Sequence, residues 1–157
     1  SWGVAAEQSI VVTLDLTKVY LAAADGAPQY NDRRGMPSVV LAPNGRPGII
    51  IPDAAAPTDL TTETLKKGAG AEITAQDTAR VQYTAVDWGT RKVTSSTWED
   101  GASRAVTTGA DIPFASQLLG ATVGSQLLVV VPGASAGSSA TAYVIDILGI
   151  DPVTAAR

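Results

Sequence analysis

The sequence predicts an α+β fold in which several antiparallel strands accompany one short helix. From residue 60 onward, seven short runs of strand-forming residues are separated by turn residues. The segment 80–86 alternates polar and apolar side chains, as a half-buried antiparallel strand does. Helical features are confined to residues 112–119, and one helix beside many antiparallel strands defines the α+β class. The predicted strands span residues 60–66, 71–74, 78–86, 92–95, 103–107, 125–131 and 140–148.

The predicted helix has a recognisable beginning and end. Asp111 can cap its first turn, and Pro113 is tolerated there because the first N–H groups of a helix have no partner within it. Gly120 can end the helix. Its predicted apolar face consists of Phe114, Leu118 and Leu119.

Two further extended regions are predicted upstream of residue 60. Residues 9–16 are rich in β-branched side chains and predict a strand. The apolar runs 38–41 and 48–51 flank a turn containing proline, asparagine and glycine, which predicts a short hairpin or extended pair. Residues 53–57, Asp-Ala-Ala-Ala-Pro, have the composition of a linker.

Composition limits the kinds of function that the chain can have. Hydrophobic residues make up 45% of its 157 residues, enough for one packed domain with an appendage. The formal net charge of −4 argues against a nucleic-acid partner. The chain contains neither cysteine nor histidine, which excludes metal sites and catalysis that depend on these residues. We also expect no cofactor and no metal. No membrane-spanning segment is expected either, because no apolar run approaches roughly 18 residues.

The second half of the chain contains five motifs in a fixed order, and together they resemble the FKBP-type peptidyl-prolyl isomerases. The resemblance covers about residues 60–150 and implies an FKBP-like curved antiparallel sheet around the helix 112–119. The motifs are Val81-Gln-Tyr-Thr84, Ser95-Ser-Thr-Trp-Glu-Asp-Gly101, Asp111-Ile-Pro-Phe114, Val123-Gly-Ser125 leading into residues 127–132, and Tyr143-Val-Ile-Asp-Ile-Leu148.

The implied activity is cis–trans isomerisation of X–Pro bonds in proline-containing polypeptides. Rotation about this bond faces a barrier of roughly 18–20 kcal/mol. An apolar pocket complementary to the twisted amide can lower that barrier without a nucleophile, metal or general base. The resemblance assigns the catalytic pocket to Tyr83, Phe114 and Tyr143, with Phe114 standing where the family usually has a tryptophan floor. It also implies a macrolide ligand for the same pocket.

The resemblance assigns five further residues to substrate binding. Val93 and Thr94 stand where the family has an aromatic wall and an aspartate, and both substitutions remove substrate contacts. Asp111 and Ile112 occupy the stretch whose backbone N–H usually binds the ligand carbonyl. Trp98 keeps part of a motif found in bacterial members. We therefore expect weakened isomerase activity. The alternative is a catalytically inactive FKBP-like interaction module. In that alternative, Tyr83 and Phe114 serve only as core residues.

The resemblance also predicts the domain organisation, with a linker containing the short extended pair at 21–58, the FKBP-like domain at 59–150 and a tail at 151–157. Residues 10–16 resemble residues 141–147, with Asp15 and Asp146 in register. Two interpretations stay open: strands resemble one another by chance, or residues 1–20 contain the final strand of a preceding FKBP-like domain. The second interpretation predicts a piece of a tandem bacterial envelope protein, located outside the cytoplasm.

Overall fold

The computed structural model describes residues 11–16, 18–30, 33–135 and 137–152. Within these ranges the chain forms nine strands, one short α helix and one 3₁₀ helix. The helices are α1 (Thr97–Asp100) and the 3₁₀ helix Ala115–Leu118. The strands are β1 (Ala27–Pro28), β2 (Ser38–Leu41), β3 (Pro47–Ile50), β4 (Thr61–Lys67), β5 (Thr78–Asp87), β6 (Val93–Ser96), β7 (Arg104–Thr107), β8 (Gln126–Val131) and β9 (Thr141–Ile150).

The main sheet is antiparallel in the order β1-β4-β8-β9-β5-β6, and β7 pairs with β5 beside β6. Strands β5 and β9 are the longest, at 10 residues each, and they form its centre. Extra residues shift the register at three places: Leu65 in β4, Thr94 in β6 and Leu148 in β9. Such bulges bend a strand and increase its twist, which curves this sheet as predicted. The α+β architecture expected from the sequence is confirmed.

The two faces of the sheet carry different layers. The helix face packs against the 3₁₀ helix and holds the main core, which includes Val81, Leu118 and Ile147. The opposite, hairpin face carries a second cluster around Val86 and Trp88. The upstream chain covers this second cluster through Ile51. Residues two apart in a strand share a face, so alternation in β5 and β9 decides which side chains reach which layer.

The predicted helix 112–119 is wrong in length and type. The Ile112 N–H donates to the carbonyl of Ala110 (2.8 Å), which holds the chain in a tight turn where a helix would begin. Only residues 115–118 form a 3₁₀ helix, and Gly120 follows with a φ of 77°. Phe114 and Leu118 are buried as expected, but Leu119 is exposed to solvent.

Three other local predictions fail. Residues 71–74 form one isolated bridge, from Glu72 to Thr122, and no strand. The α helix of the structure is 97–100, a segment that carries no amphipathic pattern. No strand forms over 11–16, where Val11 and Leu14 are exposed; residues 9–10 of that predicted strand lie outside the described residues.

The upstream segment packs on the domain along much of its length. Strands β2 and β3 form an antiparallel hairpin at the predicted position. The Leu21 N–H donates to the Leu148 carbonyl (3.0 Å), and the Gly26 N–H donates to Gly124 (2.9 Å). Asp151, placed in the predicted tail, accepts hydrogen bonds from Tyr20 and Arg80, whereas residues 153–157 lie outside the described residues.

Gly68 lies where the backbone after β4 approaches the turn before β8. A Cβ atom on Gly68 would be 2.1 Å from the Val123 carbonyl oxygen, so a side chain forces the two backbone segments apart. We expect Gly68→Ala to lower the free energy of unfolding by about 1–3 kcal/mol, measured by urea denaturation. Gly109→Ala is the matched control, because nothing lies within 4 Å of its added Cβ. Equal stability of the two variants would contradict this close approach.

Candidate active site on the helix face

Three aromatic rings, Tyr83, Phe114 and Tyr143, form one cluster on the helix face. The Phe114 ring centroid lies 5.2 Å from that of Tyr83 and 5.2 Å from that of Tyr143. The two tyrosine centroids are 6.3 Å apart, and all three pairs are tilted. These separations are typical of aromatic rings in direct contact. The structure therefore brings together the three residues that the resemblance assigned to the catalytic pocket.

Strand register fixes where the two tyrosines stand. Ala85 of β5 pairs with Tyr143 of β9, and Tyr83 pairs with Ile145, so both tyrosines point to the helix face. The Tyr83 N–H donates to Thr97 Oγ1 (2.9 Å), which anchors β5 to the start of α1. Phe114 arrives from the other side of the core, as the residue that precedes the 3₁₀ helix.

Burial differs among the three rings. Phe114 is 1% exposed and Tyr83 is 7% exposed, whereas Tyr143 is only partly buried. Burial raises the pKa of the Tyr143 hydroxyl, and the nearby Tyr83 raises it further. Tyr143 is therefore a neutral phenol and the most exposed ring of the cluster, whereas the Phe114 ring is almost inaccessible to solvent.

Two polar side chains that sequence reasoning missed complete the rim of the cluster. The Tyr83 hydroxyl lies 3.1 Å from Ser95 Oγ. Arg104 Nη1 donates to the same hydroxyl over 3.3 Å. Arg104 pairs with Val81, which places it on the sheet face that carries Tyr83. The sequence does not reveal this pairing, because a strand as short as β7 does not specify its register.

Val93 and Thr94 do not lie where the resemblance placed them. Val93 pairs with Val86, so it points to the hairpin face and is 47% exposed. A bulge follows, and the Thr94 hydroxyl contacts the Ala85 carbonyl at 3.4 Å without reaching Tyr83. The side chain beside the Tyr83 hydroxyl is that of Ser95, the residue after Thr94.

Asp111 and Ile112 lie just before Phe114 in the chain. The resemblance expects a backbone N–H here to bind a ligand carbonyl, but the Ile112 N–H is already bonded within the chain. Ile112 is partly buried against the core, and its N–H is engaged by the Ala110 carbonyl. Asp111 is exposed. In this conformation the Ile112 N–H binds its own chain, so a ligand carbonyl would have to displace that bond.

Trp98 lies away from the aromatic cluster, against the turn of the β2–β3 hairpin. A Cβ on Gly45 would be 3.4 Å from the Trp98 ring, and the neighbouring Glu99 pairs with Arg46 of the same turn. The Trp98 Nε1 is buried without a hydrogen-bond partner among the described residues. The contact between the Trp98 ring and the Gly45 turn joins the upstream segment to the domain.

A groove of about 480 Å³ lies on the hairpin face, between β2–β3 and the edge of the main sheet. Its walls include Val40, Thr84 and Val93. Since Tyr83, Phe114 and Tyr143 point to the other face, this groove is separate from the aromatic cluster.

Comparison with solved structures identifies the architecture. FkpA from Escherichia coli superposes with a TM-score of 0.54 and 18% identity, covering 78% of this chain and 54% of that one. The N-terminal domain of FKBP42 from Arabidopsis thaliana gives 0.54 and 15%, covering 67% and 100%. A multi-domain immunophilin from the same plant gives 0.52 and 15%, covering 68% and 50%. The chain has an FKBP-type fold.

This FKBP-type domain corresponds to about half the length of FkpA and of the multi-domain immunophilin, but to the whole of the FKBP42 domain. No protein-family model matches the sequence, and no curated protein matches it either. At these identities the likeness establishes the fold alone.

Two negative observations apply to the described part of the FKBP-type chain. None of its helices is both long and apolar enough to cross a membrane. Its acidic side chains, in the same residues, form no group of three or more that could hold a metal ion.

Proposed function

We propose that this FKBP-type domain is a peptidyl-prolyl cis-trans isomerase of low activity. The observation that carries the proposal is the contact of Tyr83, Phe114 and Tyr143 on the helix face. These are the positions that the family motifs assign to the prolyl pocket. An apolar aromatic surface favours the twisted, less conjugated amide over the planar one, which is sufficient for this reaction.

Each residue has a defined role in this proposal. Phe114 is the floor on which the prolyl ring packs, and Tyr83 is the wall. Tyr143 acts as the opposite wall, because it is the partly exposed ring that contacts Phe114. The Ser95 hydroxyl and the Arg104 guanidinium supply hydrogen-bond donors at the rim.

Two features support low activity. The free energy needed to expose the Phe114 ring, which is 1% exposed, reduces the fraction of the domain that is ready to bind. The aspartate that the resemblance assigns to substrate binding is replaced by Thr94, which removes a carboxylate from the site. We further propose that the chain assists protein folding outside the bacterial cytoplasm.

The test is isomerisation of a Leu-Pro tetrapeptide, followed by a protease that cleaves only the trans form. We expect acceleration that rises linearly with protein concentration. Phe114→Leu keeps an apolar side chain but removes the flat ring, and should lower kcat/KM about tenfold, equivalent to ~1.4 kcal/mol of transition-state stabilisation. Val40→Ala, on the distant hairpin, is the control. Undiminished activity of Phe114→Leu, or of Phe114→Ala in folded form, would refute the pocket assignment.

A second candidate is a non-catalytic FKBP-like interaction module. The near-complete burial of Phe114 favours it, because a floor that solvent does not reach can be ordinary core. Titration with a macrolide that fills the family pocket separates the two candidates. Binding together with isomerase activity supports the enzyme, whereas absence of both supports the module.

A further inference from the structure

Arg104 stands on the edge of the aromatic cluster, and among the described residues its guanidinium makes one hydrogen bond. Its β7 position pairs with Val81, which places it on the same face as Tyr83. One guanidinium nitrogen donates to the Tyr83 hydroxyl (3.3 Å). A guanidinium has five N–H donors, so this single bond leaves several directed outward. Arg104 is exposed, and a bound chain at the cluster can reach it.

Most of the other described arginines differ from Arg104, although Arg34 also has no carboxylate within 4.0 Å among the described residues. Four of them pair with a carboxylate: Arg33 with Glu63, Arg46 with Glu99, Arg80 with Asp151 and Arg91 with Asp53. Among the described residues, no carboxylate oxygen lies within 4.0 Å of the Arg104 side-chain nitrogens. No described carboxylate therefore pairs directly with the positive charge beside the cluster.

The chemistry of this position favours a carboxylate. A guanidinium can bind both oxygens of a carboxylate at once, which gives a stronger and more directional contact than a neutral side chain makes. The overall charge of −4 repels acidic chains at long range, so any preference for them must come from a local contact.

Building on the proposed function, we propose that Arg104 makes this site selective for proline segments with an acidic residue adjacent to the proline. The carboxylate pairs with the guanidinium while the prolyl ring occupies the Tyr83–Phe114–Tyr143 cluster. Arg104 is thus a specificity-determining residue, and the preferred clients are acidic, proline-containing polypeptides.

The experiment compares peptides that carry Glu or Gln directly before or directly after the proline. Binding is measured by calorimetric titration and isomerisation by the coupled assay. We expect the better-placed Glu peptide to bind about threefold to fivefold more tightly than its Gln partner, the range for an exposed ion pair. High salt should weaken that preference.

Variants assign the effect to one residue. Arg104→Gln should abolish the preference, so that the ratio of the affinities for the Glu and Gln peptides falls to about one. Arg34→Gln, which removes the same charge from an exposed turn, should keep the preference. Equal binding of Glu and Gln peptides by the unmodified chain, or a preference that survives Arg104→Gln, would overturn the assignment. Selective binding without isomerisation would leave the assignment intact and refute the catalytic proposal, whereas absence of any peptide binding would overturn both.

Discussion

Replacing Phe114 by alanine is expected to lower the free energy of unfolding by about 3–5 kcal/mol. The ring is 1% exposed and contacts both tyrosines at centroid distances of 5.2 Å. Its removal therefore costs transfer free energy and leaves a cavity, and it also ends two aromatic contacts. Since a domain of this size is stable by only about 5–15 kcal/mol, the effect should be unmistakable in guanidinium denaturation followed by tryptophan fluorescence.

Two further variants at this position show whether the site can change shape. Phe114→Leu should cost clearly less than Phe114→Ala, because more of the cavity stays filled. Phe114→Trp restores the usual indole of the family. If Tyr143 moves aside readily, Phe114→Trp should be nearly neutral, whereas a rigid cover makes it destabilising by about 1–3 kcal/mol. A loss below about 1 kcal/mol for Phe114→Ala would contradict its position in the core.

The strands were predictable from sequence where alternation continued over several residues. In β5 the residues Val81, Tyr83 and Ala85 follow the two-residue period into the main core. The helix was less predictable, because apolar spacing does not reveal that the Ile112 N–H turns back to Ala110. A four-residue helix such as α1 has too few residues to produce a periodic pattern.

The candidate site was predictable as far as the motifs kept their register. Tyr83, Phe114 and Tyr143 meet as the family resemblance predicted. A bulge at Thr94 in the β5–β6 pairing puts Val93 on the hairpin face, and the role of Val93 and Thr94 in substrate binding stays a prediction. A shift of one residue moves a side chain to the opposite face of a sheet, and no local signal announces it.

The upstream segment shows a different limit of sequence reasoning. Its composition is that of a linker, yet the backbone of Ala24 binds Asp146, 122 positions away. Asp146 was noted only as the aspartate of the last strand. Contacts of this separation arise from the folded sheet, so the linker composition could not reveal that the segment is docked.

Asp146 is the buried charge on which this docking depends. It is 1% exposed on β9 and accepts hydrogen bonds from the Ala24 N–H (2.8 Å) and from Gln126 Nε2 (2.7 Å). Lys66 Nζ donates to the Ala24 carbonyl (2.8 Å), so both polar groups of the Ala24 backbone are held by the sheet. Lys66, Gln126 and Asp146 are direct neighbours across β4, β8 and β9.

Asp146→Ala is expected to lower the free energy of unfolding by about 2–4 kcal/mol at neutral pH. The substitution leaves the Ala24 N–H and the Gln126 amide without their acceptor in a buried place, at about 1–3 kcal/mol for each unsatisfied group. Asp146→Asn is the matched control, because it is similar in size and keeps an acceptor for Ala24, while a rotated Gln126 amide can accept from its NH₂. It should cost clearly less than Asp146→Ala, by urea denaturation.

The pH dependence provides a second measurement on the same residue. Burial raises the pKa of Asp146 above its usual value of 3.8, against the opposing effects of Ala24, Gln126 and Lys66. The folded state therefore binds the proton more tightly than the unfolded state. Between the unfolded and the raised folded pKa, stability should fall as pH increases, and the cost of the buried charge is fully present above the folded pKa.

The Asn variant isolates this contribution because residue 146 no longer titrates. The stability of the unmodified chain relative to Asp146→Asn should increase as pH falls from 7 toward 4, and should level off below about 3.8. Other carboxylates titrate in both proteins and cancel in the difference. A difference that stays constant would contradict the raised pKa and show that hydrogen bonds to the charged form balance burial. A difference that decreases on acidification would show that they outweigh burial. In that case Asp146 would stabilise the docked upstream segment as a carboxylate, and the charge itself would favour the fold.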